Sequence, residues 1–166
     1  MTDRREMILD VAETMIRARG YAGFSFRDVA LAVGIKSASV HYHFPAKPDL
    51  ASAVAARYRM RFAKALAEAE ATGEARIDAW RRLFKQAFEQ DGLMCLCGIL
   101  AVEGDSLPEE VACEARAFLQ FGIASLDEAH PGQGARILAQ LEGAMLIARS
   151  AGDARLFAQA TENLAA

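Results

Sequence analysis

The sequence predicts an all-α protein of about nine helices. Apolar residues recur at intervals of three and four through most of the chain, which is the spacing of one helix face. Residues that end helices, such as Gly20 and Gly92, separate these stretches. No stretch shows the apolar–polar alternation of a half-buried β-strand. These three observations together favour a helical bundle.

The first three predicted helices have start or stop signals in the sequence. Thr2 or Asp3 is a candidate cap for the first helix, and Ser25 is a candidate cap for the second, with Asp28 in its first turn. Gly34 makes a turn into a short polar helix that Pro45 ends. The predicted helices cover residues 3–20, 26–33, 36–44, 48–71, 75–91, 93–104, 107–129, 133–151 and 153–164.

This helix order suggests two units joined by one long helix. We expect a three-helix head in residues 1–47 and a helical body in residues 48–166, with residues 48–71 as the connector. The two short helices around Gly34 have the pattern of a helix-turn-helix, whose second helix enters the major groove of DNA.

Charge is distributed unevenly over the 166 residues. The net charge is −3, yet residues 1–64 carry 11 basic and 6 acidic side chains. Residues 65–166 carry 8 and 16, so a basic head is joined to an acidic body. This distribution indicates a polyanion partner for the head, or simply an uneven surface. No apolar run is long enough for a transmembrane helix and no signal-peptide core is visible, so we expect a cytoplasmic protein.

The three cysteines permit more than one interpretation. Cys95, Cys97 and Cys113 are too few for a disulfide scaffold, and they could form a thiol sensor or a soft-metal site. Helical spacing places Cys95 and Cys97 about 200° apart, and no nearby histidine completes a zinc-like pattern. Buried cysteines acting as small apolar residues are the simpler interpretation, and we expect no metal and no cofactor.

The segment Gly34–Leu50 (Gly-Ile-Lys-Ser-Ala-Ser-Val-His-Tyr-His-Phe-Pro-Ala-Lys-Pro-Asp-Leu) resembles the signature of the TetR family of bacterial transcriptional regulators. Ala38 departs from it, because glycine is common there, and so does the order His41-Tyr42-His43. The resemblance implies a ligand-responsive DNA-binding regulator, most simply a repressor. It also implies a homodimer, a palindromic operator, and a small-molecule pocket in the body whose occupation separates the heads through the connector helix.

The chemistry of the head suggests which residues touch DNA. Lysine and serine near the start of a recognition helix can bond base edges, while aromatic hydroxyl, imidazole and ammonium groups suit phosphates. The alternatives are a solvated polar face and, for His43, a structural hydrogen bond. The candidate contacts are Ser25, Arg27, Lys36, Ser37, Ser39, His41, Tyr42, His43 and Lys47.

The body offers weaker signals. Aromatic and flexible apolar side chains could line a largely apolar effector pocket or form ordinary core. Glu103, Glu114, Arg116 and Glu142 could adjust its polarity. The pocket candidates are Trp80, Phe84, Phe88, Met94, Phe118, Phe121 and Met145.

Small residues near the end of the chain suggest a close helix–helix interface across a two-fold axis, or packing within one chain. The interface candidates are Leu138, Leu141, Gly143, Ala144, Met145, Ala148 and Phe157. Arg57, Arg59, Arg61 and Lys64 on the connector form a solvated or intersubunit face, with DNA contact as a minor alternative.

Two other classes of function compete with a DNA-binding regulator. The sequence lacks a P-loop, a nucleophile elbow, a zinc-protease motif and a dinucleotide fingerprint, so an enzyme is not expected. A helical scaffold with a vestigial helix-turn-helix would leave the basic head without a purpose and would not bind DNA.

Overall fold

The computed structural model describes residues 3–164 and contains nine α-helices and one short 3₁₀ helix within that range. In chain order these are α1 (Arg4–Arg19), α2 (Phe26–Val33), α3 (Ser37–His43), α4 (Lys47–Ala71), α5 (Arg76–Asp91), α6 (Leu96–Glu103), η1 (Gly104–Ser106), α7 (Glu109–Ala129), α8 (Gly134–Ala151) and α9 (Arg155–Ala160). The all-α prediction is confirmed. None of these helices is long and apolar enough to cross a membrane.

The predicted helix starts in the head are confirmed. Asp3 accepts a hydrogen bond from the Arg5 backbone N–H at 3.1 Å and so caps α1, whereas the alternative candidate, Thr2, lies outside the described residues. The Ser25 hydroxyl accepts from the Asp28 N–H at 3.2 Å and donates to the Asp28 carboxylate at 2.6 Å. Gly34 ends α2 with φ +76° and ψ 34°, a left-handed conformation that glycine adopts without strain.

Two predictions in the body need correction at their ends. The nearly continuous apolar run 93–104 predicts a helix, but α6 begins only at Leu96 and η1 follows it directly. The backbone of Cys95 is extended where α6 begins, so Cys95 and Cys97 do not share one regular helix. The last helix, predicted to cover residues 153–164, is the shorter α9.

The head packs on the body through α1, which contacts both α4 and α6. Inside the body, α4, α5, α6 and α8 all contact α7, so α7 is the central helix. The 25 residues of α4 extend for about 37 Å and contact α1, α5, α6 and α7. The connector is therefore a packed element of both units.

Candidate functional site

The outer face of the helix-turn-helix forms a shallow groove between α3 and the start of α1. Its volume is about 850 Å³. We call it the head groove, and it is lined by Asp3, Arg4, Met7, Lys36, Ala38, Ser39, Tyr42 and His43. Val40 on the opposite side of α3 and Phe44 directly after the helix are buried, so the polar face of α3 points outward. Apolar packing on one side thus presents the polar side chains on the other.

The polar side chains of α3 are available for contact. Tyr42 is 86% exposed, although its side chain is large and partly apolar. Lys36, Ser37 and His41 are also exposed, and Ser39 is half-buried in the head groove. An exposed aromatic ring with a hydroxyl, next to a lysine and two serines, can bind phosphates and base edges.

The two histidines of this motif occupy different surroundings. The His41 ring packs edge-on against Phe26 at a centroid distance of 4.6 Å, and its Nδ1 lies 3.4 Å from the Pro45 carbonyl oxygen. The His43 ring is half-buried in the head groove and meets the Tyr42 ring edge-on at 5.2 Å. Both histidine rings therefore make structural contacts within the motif in addition to forming part of its surface.

Five of the nine predicted contacts do not line the head groove: Ser37 and His41 lie on other parts of α3, and the remaining three lie at α2 and α4. Ser25 uses its hydroxyl to cap α2, and Arg27 is exposed in the first turn of that helix. The Lys47 ammonium lies over the rings of Tyr21 and Phe24, 4.4 and 4.6 Å from their centroids. Burial lowers the pKa of Lys47, and the nearby Glu103 opposes that shift. The structure thus directs Lys47 toward the turn after α1 and not toward Tyr42.

One residue in the head groove was missed by the sequence analysis. Arg4 lies in this groove together with Lys36 and Tyr42 and is exposed. The adjacent Arg4-Arg5 pair at the start of a basic head was the available signal. Arg5 is directed differently, because its guanidinium lies 5.3 Å from the centroid of Phe44.

The sequence predicts a solvated or intersubunit face for the basic residues of α4, but they pair with acidic residues of the same chain. Arg57 forms ion pairs with Glu6, Asp10 and Glu13 of α1 at 2.8–3.2 Å. Arg61 also pairs with Glu13, at 2.6 Å. Arg59 pairs with Glu114, and Lys64, the most exposed of the four, pairs with Glu68 at 3.8 Å. All four basic residues therefore form ion pairs within the chain.

Three side chains, which we call the seam, hold the head against the body: Arg17, Glu103 and Arg149. Arg17 of α1 is buried and donates to both Asp91 carboxylate oxygens, at 2.6 and 3.1 Å. It also donates to the carbonyl oxygens of Ala87, Leu93 and Met94 at 2.8–3.3 Å.

The other two members of the seam come from α6 and α8. The Glu103 carboxylate accepts hydrogen bonds from the backbone N–H groups of Tyr21 and Ala22, just after α1. Arg149 donates to the carbonyl oxygens of Arg17 and Ala18 at 3.1 Å each. Since these carbonyls are at the free end of α1, Arg149 caps that helix. Sequence spacing gave no signal for either contact, because the partners are more than 80 residues apart.

Most of the predicted effector pocket is packed core. The rings of Trp80, Phe84 and Phe118 are fully buried. Phe62 contacts all three, and Trp80 contacts the other two, at centroid distances of 5.2–6.1 Å. Phe88 is buried against Phe157. Met145 is buried as well, and Phe121 lies in a separate shallow cleft beside α4.

Met94 is the member of that set that lines an apolar groove between α6, α7 and α8. We call it the body groove, and its volume is about 430 Å³. Its walls are apolar except for one carboxylate, that of Glu142. The lining residues are Met94, Gly98, Ile99, Ala101, Val102, Leu119, Glu142, Gly143 and Leu146.

Most of the residues predicted to form the dimer interface do not lie on the surface of the chain. Six of the seven side chains, those other than Gly143, are buried inside the single chain and cannot present a surface. Helical periodicity identified the apolar face of α8 correctly but could not say whether its own chain covers it. The exposed apolar residues of α8 are Leu146 and Ile147, at 57% and 55%, and the three alanines Ala135, Ala139 and Ala151.

The cysteines divide into two environments. Cys95 and Cys97 are buried, and burial raises the pKa of both thiols, which suits small core residues. Cys113 is exposed, contrary to the expectation that all three are buried. Between residues 3 and 164, no three His, Cys, Asp or Glu side chains are arranged to hold a metal ion.

Comparison with known proteins decides the family. The sequence profile described as "Bacterial regulatory proteins, tetR family" matches residues 8–54, which cover most of α1, the helix-turn-helix and the start of α4. A TetR-family regulator from Agrobacterium tumefaciens is 30% identical over 96% of this chain and 94% of its own, with a TM-score of 0.86. The chain belongs to the TetR family.

Other solved structures extend the likeness to the whole fold. A TetR regulator from Legionella pneumophila is 29% identical, with a TM-score of 0.91, over 99% of this chain and 96% of its own. Reduced NemR of E. coli is 21% identical over 98% of this chain and 96% of its own; its TM-score is 0.81, and the likeness shows the fold alone. The comparison with curated proteins finds no match. As a TetR-family member, the chain is a non-enzymatic, DNA-binding transcriptional regulator.

Proposed function

We propose that this TetR-family protein is a homodimeric repressor that binds a palindromic operator and releases it when a small molecule occupies the body. Arg4, Lys36, Ser37, Ser39 and Tyr42 supply the DNA-contacting surface, with His43 orienting Tyr42. These contacts combine base-edge donors with phosphate partners, so affinity falls as salt is added.

The observation that best supports a switch is the position of the seam. Glu103 follows Val102 of the body groove directly, and Arg149 lies one turn beyond Leu146. Both side chains bind the end of α1, so a ligand that separates α6 from α8 changes contacts that hold the head. The signal then passes through α6 and α8 as well as through the connector helix.

We place the dimer interface on the outward face of α8. Ala139 and Ile147 are exposed there, and a side chain at Gly143 would meet no atom within 4 Å outside its own stretch of helix backbone. Because Gly143 also lines the body groove, this interface borders the groove. An open glycine beside exposed aliphatic side chains permits the close approach of a two-fold related helix.

DNA binding is tested by fluorescence anisotropy with a labelled duplex from the region upstream of the protein's own gene. We expect binding that is tighter than binding to a scrambled duplex and that weakens with added salt. Absence of any salt-sensitive binding by the purified protein would contradict the proposal.

The interface is tested by analytical ultracentrifugation of Ile147→Glu, with Met60→Glu as a matched control on an equally exposed side chain of α4. The first variant should be monomeric and should lose operator binding, while the second should remain dimeric. A dimeric Ile147→Glu protein would move the interface elsewhere.

A further inference from the structure

The body groove contains a buried acid for which the protein supplies no strong partner. Both carboxylate oxygens of Glu142 are inaccessible to solvent, and neither accepts a conventional hydrogen bond from another described residue. The Cys95 thiol lies beside this carboxylate, and a thiol is a weak donor. A buried charge without a partner is costly, so a group kept there invites a functional explanation.

The cations of the surrounding helices are already engaged. Arg17 is bound to Asp91, Arg59 to Glu114, and Arg149 to the end of α1. The titratable groups that face Glu142 are the thiols of Cys95 and Cys97, and from α7 the groove receives only Leu119. Burial raises the pKa of Glu142 to about 7, so the carboxyl is charged in about half of the molecules near neutral pH.

Space at this acid depends on one glycine. A β-carbon on Gly98 would lie 2.5 Å from the Glu142 Oε2 atom, so any larger residue would displace the carboxylate. Gly98 also lines the body groove, which places the carboxylate directly beneath the groove's apolar floor. A volume of about 430 Å³ is within the range of small-molecule sites, roughly 300–1,000 Å³.

We propose that the body groove binds an amphiphilic organic cation, an apolar body with one ammonium or amidinium head, and that Glu142 is its charge partner. This inference rests on the proposed function and names the chemical class of its effector. The apolar walls fit the body of such a molecule, and the carboxylate fits its N–H donors. An anionic amphiphile meets repulsion there, and a neutral one leaves the charge unpaired.

The test uses n-octylammonium as the probe, with n-octanol and octanoate as neutral and anionic probes of matched length, measured by isothermal titration calorimetry. We expect octylammonium to bind at least tenfold more tightly than the other two at pH 8. Its affinity should fall several-fold at pH 6, where Glu142 is largely protonated while the ammonium stays charged. Glu142→Gln should lower octylammonium affinity about tenfold and leave octanol affinity unchanged.

Gly98→Ala serves as a second variant, and it should weaken octylammonium binding without removing any charge. Equal affinities of the wild type and Glu142→Gln for octylammonium would overturn the proposal. So would octylammonium binding no tighter than octanol. If neither probe binds and Glu142→Gln changes the dimer dissociation constant, the groove is covered by a second copy and the proposal fails. Operator binding by the same preparations, measured without probe, separates these failures from failure of the proposed function.

Discussion

The head groove and the body groove place charge in opposite ways. The head groove exposes Arg4, Lys36 and Tyr42 around an open surface, ready for a partner much larger than the groove itself. The body groove exposes almost only apolar atoms and holds its one carboxylate, Glu142, beneath the floor. The first arrangement suits a polyanion that stays partly in water, and the second suits a small molecule that leaves water. The seam joins the two, and the predictions below test each part.

The largest expected effect is at the seam. Arg17→Ala removes a buried side chain that donates to Asp91 and to several backbone carbonyl groups, so it should lower the free energy of unfolding by about 3–4 kcal/mol. Arg19→Ala, on the same helix but exposed, should change it by less than about 0.5 kcal/mol. Urea denaturation measures both. Similar stability of the two variants would mean that the seam does not hold the head.

The second prediction concerns Glu142 in the body groove and the change of protein stability with pH. Because burial raises the pKa of Glu142 from 4.5 to about 7, the folded protein binds this proton more tightly than the unfolded chain does. The wild type should therefore lose stability as pH rises from about 4.5 to beyond 7, by up to about 3 kcal/mol relative to Glu142→Gln.

Thermal or urea unfolding at pH 5 and pH 8 measures this difference. Glu162→Gln, a change at an exposed carboxylate, is the control and should follow the wild type at both pH values. A Glu142→Gln variant whose advantage is the same at pH 5 and pH 8 would contradict a buried, titrating acid.

A smaller effect is expected in the head groove. Lys36→Ala should weaken operator binding about tenfold and binding to a scrambled duplex by less, since a lysine near base edges contributes to discrimination. Lys64→Ala, on the exposed surface of α4, should change neither affinity by more than about twofold. Anisotropy titrations with both duplexes measure this, and equal losses on the two duplexes would reassign Lys36 to a phosphate contact.

The smallest expected effect comes from one hydroxyl. Tyr42→Phe keeps the ring against His43 and removes the exposed O–H, so affinity should fall only a few-fold. The loss should be the same for operator and scrambled DNA, because a phosphate contact carries no sequence information. An operator-specific loss would place the hydroxyl at a base edge.

The sequence predicted the fold well because local signals were strong. Ser25 and Gly34 set the ends of α2 through short-range backbone chemistry, and the apolar face of α3 determined which of its residues point outward. The contacts of Lys47 with the rings of Tyr21 and Phe24 could not be predicted, because these partners lie in a turn far from Lys47 in the sequence.

The functional residues of the body could not be predicted as well as the helices and their ends. Periodicity showed that Trp80 and Phe118 are apolar positions, but filled core and pocket lining share that pattern. Glu142 was noted among several charged residues without a reason to choose it. Its importance emerges only when α6 and α8 pack and place it against Gly98, away from any cation.

The most direct test of the account is operator affinity measured by anisotropy at pH 8 with and without saturating n-octylammonium, for the wild type and Glu142→Gln. The account predicts that the probe weakens operator binding by the wild type at least tenfold, and that the same concentration changes binding by Glu142→Gln by less than about threefold. If the wild type binds octylammonium and its operator affinity stays the same, the two grooves are not coupled and the proposed switch is wrong.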